Sequence, residues 1–149
     1  MDIQLARFLD QNHVLSLATV GEEGPHAASL FYARDDRYLL WVSDPASRHS
    51  RHIERNARVS ATIAPDTAHF AAIRGVQLHG SARRVILDSE MVRLKDIFTA
   101  RFEFMREADR LPENLQRAWR NMAIYLLSPE SIVLIDNQRG FGHKQTWQF

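Results

Sequence analysis

The sequence predicts a mainly β fold with helical additions, closed or nearly closed into a barrel. Three observations point there. Six to eight short runs alternate apolar with small or polar residues, each bounded by a turn signal. The runs follow one another at hairpin distances, with only a few helical segments between them. No glycine fingerprint joins a strand to a helix, which argues against a parallel doubly wound sheet. With 149 residues, 45% of them apolar, the chain can bury one hydrophobic core, and residues 1–149 read as a single domain without repeat or linker.

Residues 2–12 open as a helix, because Ile3, Leu5, Phe8 and Leu9 share roughly one face. His13 to Val20 (HVLSLATV) alternates as a strand. GEEGP turns the chain, and Pro25 restarts an extended run. HAASLFYA and RYLLWVS follow as strands about a tight turn at Asp35-Asp36, so residues 13–43 read as a meander of antiparallel hairpins. Asp44 and Pro45 predict a helix start, as N-cap and first helical residue, and the helix runs to about Asn56. RVSATIAP is a strand that Pro65 ends. Residues 70–87 form one long strand or two, with Gly75 and Gly80 as candidate bulges. Asp88 is the expected cap of a helix whose Met91, Leu94, Phe98, Phe102 and Met105 make one apolar stripe. The segment from Arg106 to Arg120 is polar, broken by Pro112, with room for a short helix. NMAIYLLS and SIVLIDN predict two strands separated by Ser128-Pro129. GFG is a turn and HKQTWQF a short closing strand.

Composition narrows the function classes. The net charge is +1, with acids and bases interspersed, so the broad basic excess of a nucleic-acid binder is missing. No apolar run approaches the ~20 residues of a membrane span, and the amphipathic N-terminus lacks a signal peptide's basic region and cleavage site. A cytoplasmic location is the expectation. The chain has no cysteine, which rules out disulfides, thiolate metal sites and thiol catalysis. No Gly-x-Ser-x-Gly is present either. If the protein is an enzyme, a cofactor carries its chemistry.

The stretch SDPASRHSRHIERNARVSATI, residues 43–63, concentrates hydroxyls, arginines and histidines where a strand meets a helix. A helix N-terminus presents unpaired N–H groups and positive dipole, both suited to a phosphate. Ser43 and Ser47 flank that terminus, and Arg48 lies in the first turn, where a guanidinium can grip two phosphate oxygens. The plainer alternative is a solvated helix face on which Glu54 balances Arg48, Arg51 and Arg55. His49 and His52 have a spacing that can chelate a metal, but no third ligand sits at a matching offset. No metal site is expected. Phe31, Tyr32 and Trp41 either pack the core or wall a flat ring system. Lys144 and Trp147, three apart on a strand, point to opposite faces.

Taken together these segments resemble the pyridoxamine 5'-phosphate oxidase-like family, the FMN-binding split barrels. The resemblance rests on Ser43, then Ser47-Arg48-His49, Asn56 and Arg58-Val59-Ser60. LATVGEEGPHAASLFY matches the family's first hairpin and RGVQLHGSARRV its long strand. NQRGFGHKQTW, with RGVQ, is similar to a smaller YhbP-like branch. The resemblance implies an antiparallel six-stranded split β-barrel and a homodimer with two FMN sites at the subunit interface. It places Arg48 on the FMN phosphate, with Val42, Ser43, Ser47 and His49 close by. Residues Ser29, Leu30, Phe31 and Tyr32 would face the isoalloxazine ring, largely through backbone groups. Gln77, Lys144 and Trp147 complete the implied site. His49 stands where the family has a lysine, and Gly75 where the oxidase has a glutamine that Gln77 replaces. The implied activity is that of a flavin-dependent oxidoreductase of unnamed substrate. The alternatives are a non-catalytic flavin- or haem-binding protein and a deazaflavin-dependent relative.

Overall fold

The computed structural model describes residues 1–105, 107 and 110–149. Among them, eight strands form one sheet: β1 (Val14–Gly21), β2 (Gly24–Phe31), β3 (Ala33–Asp35), β4 (Tyr38–Ser43), β5 (Arg58–Ile63), β6 (Arg74–Arg84), β7 (Ala123–Asp136) and β8 (Lys144–Gln148). The hydrogen-bonded order is β2-β1-β5-β6-β7-β4-β3, with β8 attached to β7. Every pairing is antiparallel.

The two ends of this path, β2 and β3, are separated in the chain only by Tyr32. They are one extended run that ladders with β1 in its first part and with β4 in its second. A strand that switches partners in this way turns a corner and closes the barrel. Eight strands therefore replace the expected six, because this run divides in two and β8 lies off the ring. The expected meander over residues 13–43 resolves into two hairpins at opposite ends of the path. The turn of the second falls at Asp36, whose φ is 52°.

Four helices surround the sheet among the described residues: α1 (Ile3–Gln11), α2 (Arg48–Arg55), α3 (Asp88–Arg101) and α4 (Glu113–Arg120). Asp2 caps α1 by accepting from the Gln4 and Leu5 amides, and Leu5, Phe8 and Leu9 enter the barrel core. α3 covers the outer side of β3, β4 and the first half of β7, forming a second core with Leu40, Ile124 and Leu126. That cover explains why Ala123 to Leu127 are buried without alternation: both faces of the strand are dry. By contrast, β1 and β5 alternate strictly, with one face in the core and one exposed.

Several boundaries differ from the sequence expectations. Residues 70–87 hold a short 3₁₀ turn at Phe70–Ala72 and then a single strand. The two strands expected around Ser128-Pro129 are one 14-residue strand, β7. A register shift between His79 and Gly80 leaves Glu130 without a counterpart on β6, and this irregularity accommodates a proline that has no N–H to donate. Asp88 is not the cap of α3; it lies inside the first turn, and Leu87 holds the cap position. The predicted apolar stripe is buried at Leu94, Phe98, Phe102 and Met105, but the α-helix ends at Arg101 and the last two fall beyond it. The segment beginning at Arg106 does contain a helix, α4; Arg106 itself lies outside the described residues. No helix among the described residues is long and apolar enough to cross a membrane.

Candidate functional site

β4 ends at Ser43, and the chain turns because the Asp44 carboxylate accepts from the Ala46 amide at 2.8 Å. Asp44 and Pro45 thus make a turn rather than the expected helix start. Ser47 is the N-cap of α2, its hydroxyl oxygen accepting from the Ser50 amide at 3.4 Å. The helix packs on the β1–β2 hairpin and on β6, burying His49, Ser50, His52 and Ile53.

This brings the side chains of Ser43, Ser47 and His49 together, with Arg48 next along the first turn of α2. His49 Nε2 shares hydrogen bonds with Ser43 Oγ at 2.8 Å and Ser47 Oγ at 3.1 Å, and Ser47 Oγ donates to Ser50 Oγ at 2.8 Å. Arg48 is partly buried. Its Nε is buried with no hydrogen-bond partner, and its guanidinium makes no ion pair among the described residues. A buried, unpaired guanidinium nitrogen beside a helix N-terminus is costly for a protein alone. Its neighbours on the helix differ: Arg55 pairs with Glu22 at 3.6 Å, and Arg51 donates to the Ala46 carbonyl. Arg58 pairs with Glu130 at 3.2 Å.

Behind this turn lies a group that sequence reasoning missed. His26 pairs with Thr19 across the β1–β2 ladder. Its ring lies 6.3 Å from that of His49, nearly parallel, and 6.0 Å from that of His52, edge-on. His52 Nδ1 shares a hydrogen bond with Thr19 Oγ1 at 3.0 Å, and its Nε2 bonds Glu23 at 3.1 Å. Hydrogen bonding to the backbone and to His52, helped by the Arg48 charge, holds the Glu23 carboxyl below its usual range. Burial, and then the neighbouring His26 and His52, hold His49 below the ordinary histidine value. His49 is therefore neutral near pH 7. Only tertiary packing brings His26, Thr19 and Glu23 to this cluster; the chain itself shows only the three-residue spacing of His49 and His52.

The other predicted residues fall into separate places. Ser29, Leu30, Phe31 and Val42 line a hollow of about 210 Å³ with Phe98, Phe104, Met105 and Trp119. Val42 and Ser43 are consecutive, so this hollow adjoins the α2 turn. Tyr32 is different: it is fully buried, its hydroxyl donating to the Leu9 carbonyl at 2.6 Å and its amide to the His13 carbonyl at 3.0 Å. Both of its donors are used inside the protein, so it packs the core rather than walling a ring. Trp41 is also fully buried in the core, stacked on Tyr125. Gln77 is exposed on the outer face of the sheet in the same cross-strand row as Ser29: Ser29, Ser16, Thr62 and Gln77 are successive partners. Lys144 is exposed at the start of β8, while Trp147 turns inward against the core. The two lie on opposite faces, as their spacing requires.

A closed antiparallel barrel with a helix packed on its first hairpin is the architecture of the pyridoxamine 5'-phosphate oxidase-like split barrels, and the comparisons agree on that fold. The chain belongs to the pyridoxamine 5'-phosphate oxidase family, whose model matches residues 1–122. It is similar to a UPF0306 protein of Serratia proteamaculans (strain 568), at 33% identity over 147 residues, covering 97% of this chain and 92% of that protein. Among solved structures, it is similar to HutZ, a heme storage protein from Vibrio cholerae. The TM-score is 0.68 at 22% identity, over 85% of this chain and 88% of that one. A putative pyridoxamine 5'-phosphate oxidase from Listeria innocua superposes with a TM-score of 0.65 at 19% identity, over 88% and 94% of the two chains. These two likenesses speak for the fold.

Proposed function

We propose that this protein is a cytoplasmic, homodimeric FMN-binding split barrel that acts as a flavin-dependent oxidoreductase. The observation that carries the reading is Arg48, with its Nε buried and unpaired at the start of α2 and two serine hydroxyls nearby. An FMN phosphate would satisfy that nitrogen and the free helix amides together. Bound flavin supplies hydride and electron transfer. The chain's own residues bind and orient it: Arg48 and the α2 amides hold the phosphate, and Ser43 can donate to it while accepting from His49. Ser29, Leu30 and Phe31 lie along the ring. Gln77 and Lys144, remote from this hollow within one chain, reach the site only as residues of a second subunit. What supports a second subunit is the outer face of the sheet. Its central cross-strand row, Ser29, Ser16, Thr62 and Gln77, is exposed and carries no formal charge, although 25% of the chain is charged, and Arg58 at one end of β5 on the same face is paired with Glu130.

The purified protein should show flavin absorbance, or gain it with added FMN, and FMN should raise its melting temperature. Arg48→Ala should weaken FMN binding by about 100-fold, as loss of a charge-assisted contact predicts, whereas Arg55→Ala should change it less than two-fold. Equal small effects would return α2 to a solvated helix face.

A second reading, a non-catalytic haem-binding protein on the same barrel, is favoured by one specific feature. His26 is partly buried beside two other imidazoles and makes no hydrogen bond among the described residues. A Soret band on haem titration that His26→Ala abolishes, with no FMN-dependent stabilisation, would replace the flavin reading by this one.

A further inference from the structure

Trp119, on α4, lines three adjoining hollows of about 270, 200 and 210 Å³. Together they form a groove between α3, α4 and the outer side of β4. Its walls are apolar: Val42 and Ile124 on the sheet, Phe104 near one end, and three of the chain's four methionines, Met91, Met105 and Met122. Methionine walls adapt to the shape of what they hold. α4 itself has no fully buried residue, although Leu115 and Trp119 sit one turn apart on it. The chain thus leaves an apolar helix edge unfinished over this groove.

The largest of these three hollows is also lined by two cations, Lys95 from α3 and Arg120 from α4. Other cations on these helices are neutralised: Arg93 pairs with Asp35 at 2.6 Å and Arg117 with Glu113 at 3.6 Å. Lys95 and Arg120 form no ion pair or hydrogen bond among the described residues. Two unpaired cations beside an apolar slot complement a molecule that is apolar along its body and anionic at one end.

We propose that this groove binds a small amphipathic anion: an apolar ring or chain laid over Trp119, carrying one carboxylate- or sulfonate-type group held by Lys95 and Arg120. The third hollow reaches Ser29, Leu30 and Phe31, so the occupant's apolar end points toward the strand assigned to the flavin ring. That it is the substrate class of the flavin site rests on the function proposed above; the binding itself does not.

The test uses two fluorescent probes with one aromatic body, 1-anilinonaphthalene-8-sulfonate and the uncharged N-phenyl-1-naphthylamine. Each is titrated into the full-length protein with and without saturating FMN. The sulfonate should bind at one site per chain. The double variant Lys95→Ala/Arg120→Ala should weaken it about ten-fold, the effect of losing two exposed charge contacts, and change the neutral probe less than two-fold. Trp119→Ala should weaken both. Lys95 and Arg120 are exposed, so the double variant should keep the parent's melting temperature. Absence of a sulfonate site, or equal responses of both probes to the charge removal, overturns the proposal. So does a site that appears only on dilution to monomers, which would make the groove a contact between copies. Failure of FMN to stabilise the protein, with probe discrimination intact, removes only the substrate role.

Discussion

Replacing Gly80 by alanine should damage this protein far more than the same change at Gly75, five residues earlier on the same strand. Gly80 lies where β6 and β7 lose register, and the bulged β7 backbone at Ser128 and Pro129 approaches it closely. A Cβ at Gly80 would lie 2.1 Å from the Ser128 carbonyl oxygen and 2.9 Å from the Pro129 Cα. Carbon and carbonyl oxygen rest at roughly 3.3 Å even in close strand contacts. The two strands must therefore part by about 1 Å. Both obstacles are backbone, so no side chain can swing aside, and the upper range of overpacking costs applies, about 3 kcal/mol. For a chain of this size that lowers the melting temperature by roughly 6–12 °C. At Gly75 the added carbon would meet Ile63 O at 3.4 Å and Ala64 Cβ at 3.5 Å, which is ordinary contact. There the loss of unfolded-chain entropy offsets any strain, and the change should stay within about 1 kcal/mol of the parent. Urea unfolding followed by far-ultraviolet circular dichroism measures both. A Gly80→Ala loss under 1 kcal/mol, or equal losses at the two positions, would refute the close approach of the β7 backbone to Gly80.

Two other perturbations probe the site and the assembly. His49 is held below its ordinary value of 6.5 by burial first and by His26 and His52 next, so the unfolded chain takes up that proton before the folded one does. Its contribution to stability is fully present above pH 6.5 and is lost as pH falls through the depressed folded value. Urea midpoints should therefore decline on acidification from pH 7.5, and His49→Gln should flatten part of that decline. A parent protein that grows more stable over this range contradicts the assignment. On the outer sheet face, Thr62→Lys sets a charge in the middle of an uncharged row. It should convert the proposed dimer to a monomer in sedimentation velocity at micromolar concentration, with the melting temperature of the monomer fold otherwise preserved. A dimer that survives the change would move the interface elsewhere.

Much of the candidate turn was legible because it is local. Ser43, Ser47, Arg48 and His49 lie within seven residues, and a strand end followed by a helix start brings them together in any fold. The start of the helix was misplaced because Asp44-Pro45 and Ser47 both carry capping chemistry. Only the turn geometry decides which one caps α2. Ser128-Pro129 read as a strand break because the way β6 pairs across the bulge at Glu130, which lets β7 continue past the proline, is not recorded in β7's own residues. The histidine cluster and the Trp119 groove were out of reach for the same reason. His26 meets His49 and His52 only after the hairpin folds over α2, and Lys95 and Arg120 come to line one hollow only once α3 and α4 are placed by the fold. The apolar stripe of α3 was plain from its spacing, whereas its early end at Arg101 depends on the turn that follows.

The one seam of the barrel without a hydrogen-bonded ladder is the passage from β2 to β3, and there the chain itself is the bond. Elsewhere two neighbouring strands can drift apart by giving up amide contacts. Here the ends of the sheet cannot separate beyond the reach of Tyr32, about 3.8 Å for each step between Cα atoms. That residue is anchored at both its hydroxyl and its amide. The hollow beside Ser29, Leu30 and Phe31 therefore opens onto a wall of fixed width. Any breathing that admits a ligand must come from the helices on its far side, where α4 lies with no residue fully buried.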